Sequence, residues 1–206
     1  MKVYLARIND LPDPKDEPEI MQRLSTQRRE MALRPALAAD RKRELGAGLL
    51  LKKVLREFGV KDEEVFTGLY GKPYTEYVKF NLSHSDDLVA IAFAQGGEIG
   101  CDIEKIREIP QHVFHRLTEE ERKYIENAGD KSRAFFQIWT KRESFLKMTG
   151  EGVTGFSNIE LKGDKIFYEG EEIECAFREF DLEGYVLCIC TLWETEVELS
   201  GFVDLR

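Results

Sequence analysis

The chain has 206 residues, 42% apolar and 33% charged, with a formal net charge of −9. That is the composition of an ordinary globular protein, long enough for one large domain or two small ones. The negative balance argues against general binding to nucleic acid or to an anionic membrane surface. No apolar run approaches a membrane span, and residues 1–5 lack the apolar stretch of a signal peptide. Cys101, Cys175, Cys188 and Cys190 show no zinc or redox spacing, and three of them sit in apolar alternation. Reduced, buried thiols and a cytoplasmic location are therefore expected.

Residues 2–8 alternate as a first strand, and 10–18 form a proline- and acid-rich loop. Residues 20–33 carry a helical pattern that Pro35 ends or kinks. From Ala36 onward, Leu45, Leu49, Leu50, Val54, Leu55 and Phe58 recur at helical spacings until Gly59 closes the segment. The polar side of that helix holds Arg41, Lys42 and Arg43, then Lys52, Lys53 and Arg56. Such a face is either solvated or holds a polyanion, and the first trio is the candidate for the second role. Residues 70–74 read as a turn centred on Lys72. Residues 80–85 form a short strand running into a polar turn, 88–94 a buried strand, and 95–98 a turn into the next strand, which predicts a hairpin. His84, flanked by Ser83 and Ser85 at a strand end, suits a phosphate contact better than a core position.

Residues 99–104 then alternate. Ile99, Cys101 and Ile103 fall on one face of a strand, and Gly100, Asp102 and Glu104 on the other. Two carboxylates side by side repel unless a cation lies between them, and Gly100 leaves room for a ligand or another backbone. The alternative is a half-exposed strand with two solvated acids. Thr118 is placed to cap a helix beginning Glu119-Glu120-Glu121. After Gly129 and Asp130, Phe135, Ile138, Trp139, Phe145 and Leu146 make an apolar stripe at helical spacing. Glu143 lies at the edge of the stripe, with Lys147 four residues on. These two form either an ordinary helix pair or a third carboxylate and a phosphate-neutralising lysine. Strand-like runs follow at 156–161, 165–168, 173–177 and 185–192, with turns at Asp164, Gly170 and 181–184 and a possible edge strand in the tail.

Ser83-His84-Ser85, Gly100-x-Asp102-x-Glu104 and Trp139-x-x-x-Glu143-Ser144-x-x-Lys147 occur in that order. With these residues the sequence resembles the 4′-phosphopantetheinyl transferases, in particular the double-length, pseudo-dimeric kind that activates peptide and polyketide synthase carrier proteins. The resemblance runs from about Arg41 to Gly152 and more loosely to the end. It implies an α+β fold of two similar halves, here residues 1–97 and 98–206, tightly joined, with the active site in the cleft between them. It implies transfer of 4′-phosphopantetheine from coenzyme A to a serine of an apo acyl or peptidyl carrier protein, with adenosine 3′,5′-bisphosphate released.

By position, Asp102, Glu104 and Glu143 match magnesium ligands, and Glu143 and Lys147 the catalytic pair. Arg41, Lys42, Lys72, Ser83, His84 and Lys147 match coenzyme A contacts. Ile106 and Arg107, directly after the carboxylate strand, are expected to meet the carrier. One position departs from the family pattern, because Arg142 stands where a lysine usually precedes the glutamate. A pseudo-dimer completes its own site, so a monomer is expected. The competing readings are a magnesium-dependent nucleotide pyrophosphohydrolase and a non-catalytic relative that binds coenzyme A or carrier.

Overall fold

In the computed structural model, the chain runs β1 (Lys2–Arg7), α1 (Pro18–Met21), α2 (Thr26–Leu33), α3 (Ala38–Leu55), β2 (Phe66–Thr67), β3 (Pro73–Tyr74), β4 (Lys79–Ser85) and β5 (Leu88–Ala94). It continues with β6 (Ile99–Lys105), α4 (Gln111–Phe114), α5 (Glu119–Asn127), α6 (Lys131–Thr149), β7 (Ile159–Lys162), β8 (Lys165–Tyr168), β9 (Glu171–Ile173), β10 (Ala176–Leu182), β11 (Tyr185–Thr191) and β12 (Glu198–Phe202). The structure describes residues 1–68, 71–163 and 165–206; Tyr70 of the expected lysine turn and Asp164 lie outside them. Helices and strands form separate runs and most sheet pairing is antiparallel, so the fold is α+β.

The described residues form two units: Met1–Gly96 with Val197–Arg206, and Gly97–Glu196. The first holds a sheet in the order β12-β1-β5-β4. Leu45, Leu50, Leu51, Val54 and Leu55 of α3 join Tyr4, Val89, Ile91 and Phe93 in its core. The tail returns to this unit because β12 pairs in parallel with β1, Lys2 opposite Glu198 and Leu5 opposite Phe202. The expected helix over 20–33 is broken into α1 and α2, while Gly59 ends the long helical segment in a left-handed conformation (φ 71°).

The second unit holds β10-β11-β6 and the smaller sheet β7-β8-β9. The hairpin expected across residues 95–98 does not form: β5 pairs with β1 and β4, whereas β6 pairs with β11. Two adjacent apolar strands joined by a turn specify no partner by themselves, and here each finds a longer ladder in its own sheet. Helix α6 lies over β6 and β11. Asp130 caps its start by accepting from the Arg133 amide at 2.9 Å, and Phe135, Phe136, Phe145, Leu146 and Met148 are buried beneath it. Strand limits near the end differ from expectation. Residues 153–158 are a 3₁₀ segment preceding β7, and the expected run 173–177 is divided between β9 and β10.

Candidate active site

Strand β6 presents its polar face to α6. A Cβ on Gly100 would overlap the Ser144 carbonyl and lie 2.6 Å from the Met148 nitrogen, so the absent side chain admits the helix backbone against the strand. Asp102 and Glu104 follow on that face, opposite Cys188 and Val186 of β11. Asp102 is buried (4% exposed) and Glu104 half-buried. From the helix, Lys147 Nζ reaches Asp102 Oδ1 at 2.6 Å. Glu104 is paired from its own strand end, with Arg107 NH1 at 3.1 Å from Oε2. Arg107 is exposed and lies over the Phe136 ring, 5.0 Å from its centroid, so the residue expected to meet the carrier also neutralises a site carboxylate.

Glu143, half-buried, completes the group. Burial, then the charges of Asp102 and Glu104, outweigh Lys147 and push its pKa from 4.5 up to about 7. Burial opposes the charge on Lys147, but the charge and hydrogen bond of Asp102, with the nearby Cys101 and Glu143, together hold the ammonium above the usual lysine value. These side chains come from one strand and from helix positions four apart, so a single strand–helix packing creates the cluster.

The donor chemistry fits a small divalent cation, since the charges of Asp102 and Glu104 raise the proton affinity of Glu143 and a hard cation relieves that repulsion. Among the described residues, however, no group of three or more histidine, cysteine or acidic side chains stands assembled around a metal position. Lys147 and Arg107 are the cations at Asp102 and Glu104 here.

Arg142, adjacent in sequence to Glu143, points the other way. Its side chain is fully buried and gives Glu121 two hydrogen bonds (3.0 and 2.7 Å), Phe156 O one (3.2 Å) and Ile159 O one (2.7 Å). It also lies over the Phe156 ring at 4.8 Å. Glu121 in turn accepts from the Leu161 amide and closes a capping box with Thr118. The departure from lysine at position 142 thus serves an internal clamp between α5, α6 and β7, because a guanidinium offers the planar fork that a carboxylate and two carbonyls require. Sequence spacing gave no sign of this pair, whose members are 21 residues apart.

In the first unit, β4 carries buried Ser83 and exposed His84, with His84 Nε2 at 3.8 Å from Glu44 Oε1 of α3. Arg43 donates to Asp86 O at 3.2 Å and so ties the start of α3 to the β4–β5 turn. Arg41 is buried and committed: its guanidinium grips both oxygens of Asp13 and donates to Pro35 O and Ala36 O. Lys42 is half-buried on α3. Lys72 is half-buried beside β3, which lies against β4.

A model of the 4′-phosphopantetheinyl transferase superfamily matches residues 98–190, the stretch containing Asp102, Glu104, Glu143 and Lys147. The 4′-phosphopantetheinyl transferase psf-1 of Bacillus pumilus is 26% identical over 93% of this chain and 90% of its own. The chain is thus similar to the 4′-phosphopantetheinyl transferases. Among other 4′-phosphopantetheinyl transferases, Sfp of Bacillus subtilis is 26% identical over 92% of both chains. The gsp protein of Aneurinibacillus migulanus is 29% identical over 76% of this chain and 70% of its own. Similarity to these transferases therefore extends well beyond the carboxylate unit, across the residues of the first unit that carry Lys42, Ser83 and His84.

Proposed function

We propose that the protein transfers the 4′-phosphopantetheine group of coenzyme A to a serine hydroxyl of an apo acyl or peptidyl carrier protein, releasing adenosine 3′,5′-bisphosphate. The observation that carries this reading is the convergence of Asp102, Glu104, Glu143 and Lys147 inside the stretch matched by the transferase superfamily.

Asp102, Glu104 and Glu143 would hold a magnesium ion, as a hard oxygen donor set does. Magnesium there supplies charge neutralisation on the pyrophosphate of coenzyme A. In the transfer, the serine oxygen bonds to the β-phosphorus while the bond from that phosphorus to the bridging oxygen breaks. Glu143 takes the serine proton, a step that general-base assistance accelerates by about 10²–10⁴-fold. Lys147 leaves Asp102 for the departing bisphosphate, which gains negative charge as the bridge breaks. Positioning of nucleophile and pyrophosphate contributes most of the remainder, as in other phosphoryl transfers.

Lys42, Lys72, Ser83 and His84 contact coenzyme A. Of the two basic neighbours on α3, Lys42 is the phosphate ligand, since Arg41 is spent on Asp13 and two carbonyls. Ile106 and Arg107 meet the carrier. The carriers served are those of peptide, polyketide and fatty acid synthesis, and the protein acts in the cytoplasm as a monomer. A direct test is release of adenosine 3′,5′-bisphosphate from coenzyme A with and without an apo carrier protein. Release that needs the carrier supports transfer; equal release without it points to hydrolysis.

A further inference from the structure

The two cations that hold the carboxylates of β6 are gripped with unequal firmness. Lys147 meets Asp102 with 30% of its own side chain and 6% of the aspartate exposed. Arg107 meets Glu104 with 49% and 20% exposed. An ion pair open to water is weak and opens readily, whereas parting a shielded one strands a charge. Glu104 is therefore the carboxylate that a competing cation takes most easily.

Arg107 can leave and return without moving the backbone. Strand β6 ends at Lys105, and the Ile106 amide donates to Gly184 O at 2.8 Å, which fixes the chain just before the arginine. The side chain itself makes two hydrogen bonds from NH1, to Glu104 Oε2 at 3.1 Å and to Lys105 O at 3.2 Å. Its guanidinium lies 5.0 Å from the centroid of the Phe136 ring, and Phe136 is buried in α6, so the platform stays put when the arginine moves. Turned outward, the guanidinium loses one half-buried carboxylate and one carbonyl. It then presents to solvent a planar fork whose natural partner is another carboxylate.

We propose that Arg107 is a positioning residue that competes with the divalent cation for Glu104 and, once displaced, offers its guanidinium to a carboxylate of the docking carrier protein. The inference rests on the transfer reading given above. A divalent cation arriving at Glu104 repels the guanidinium beside it, and a partner carboxylate holds that guanidinium in its outward position. Each event then favours the other by the same factor, because linkage between two binding equilibria is reciprocal. Arg107 thereby makes the metal site firmest when the acceptor is in place.

The test follows free Mn²⁺ by electron paramagnetic resonance as the full-length protein is titrated, with no coenzyme A present. Arg107→Gln should bind Mn²⁺ about two- to fivefold more tightly than the unsubstituted protein, the worth of one partly exposed ion pair. Arg116→Gln is the charge control: that arginine also acts on Glu143 through space but stacks on Phe156, and its loss should not tighten binding. An apo carrier protein should tighten Mn²⁺ binding to the unsubstituted protein and leave Arg107→Gln unchanged. Equal Mn²⁺ affinity in Arg107→Gln and the unsubstituted protein would overturn the proposal. So would an Arg116→Gln effect as large as that of Arg107→Gln, or a carrier effect that persists without Arg107. A carrier that binds neither protein would sink the transfer reading and the coupling with it, while the metal titrations still decide the competition at Glu104.

Discussion

Lys147 on α6 and Asp102 on β6 face each other across 2.6 Å, and this contact pins the carboxyl-terminal part of the helix to the carboxylate strand. The lysine is held protonated by the aspartate it neutralises. Asp102→Asn removes the charge and leaves a buried ammonium facing an amide. We expect holo-carrier formation to fall by at least two orders of magnitude while far-ultraviolet circular dichroism is unchanged. Glu104→Gln should do the same. Near-normal rates for Asp102→Asn at limiting magnesium would remove it from the metal set.

Glu143 links the site to stability. Its pKa is about 7 in the folded protein against 4.5 for the free side chain, so the folded state holds a proton that the unfolded chain has already released. The stabilisation is complete below about pH 4.5 and is lost as pH rises through about 7. Glu143→Gln removes this dependence. In chelator, the variant should therefore gain on the unsubstituted protein as pH rises from 4.5 to 8. At about 1.4 kcal/mol per pKa unit, reduced by screening at a half-buried group, the gain is about 1–2 kcal/mol. Parallel denaturation midpoints for the two proteins across that range would contradict the shift.

The Arg142–Glu121 clamp predicts a stability effect without a charge change at the site. Arg142→Met strands a buried carboxylate and should cost about 3–5 kcal/mol. At about 2–4 °C per kcal/mol for a chain of this size, the melting temperature falls by roughly 10 °C. Pairing it with Glu121→Leu should recover most of the loss, since no charge is then left alone. A double variant no more stable than the single one would mean that the carbonyl contacts to Phe156 and Ile159 dominate.

Much of this arrangement is readable from the chain. Alternation over 99–104 assigns the two faces of β6, and the Thr118 cap marks the start of α5. Those features are local, and a few residues fix them. What escapes is pairing between distant segments. The β5–β6 hairpin was expected because the strands adjoin, yet β6 found β11 and β5 found β1. The parallel joining of β12 to β1 spans nearly the whole chain and has no local signal. Arg142 and Arg41 look like surface charges in sequence, and only the folded positions of Glu121 and Asp13 bury them.

Coenzyme A binding separates the neighbours on α3. Lys42→Ala should raise the Michaelis constant for coenzyme A about tenfold, the worth of one charge-assisted phosphate contact. Arg41→Ala should instead lower stability, because Asp13 and the two carbonyls lose their donor. His84→Ala should weaken coenzyme A more than dephospho-coenzyme A. Equal losses for both donors would exclude His84 from the 3′-phosphate.

The central claim is group transfer to a carrier serine. The measurement is intact-protein mass spectrometry of several apo carrier proteins after incubation with coenzyme A, magnesium and this protein, with the Asp102→Asn variant alongside. The account predicts a single phosphopantetheine adduct on the carrier serine, abolished in the variant and absent without magnesium. Carriers that stay unmodified while coenzyme A is split to pantetheine phosphate would contradict transfer and make the protein a pyrophosphohydrolase.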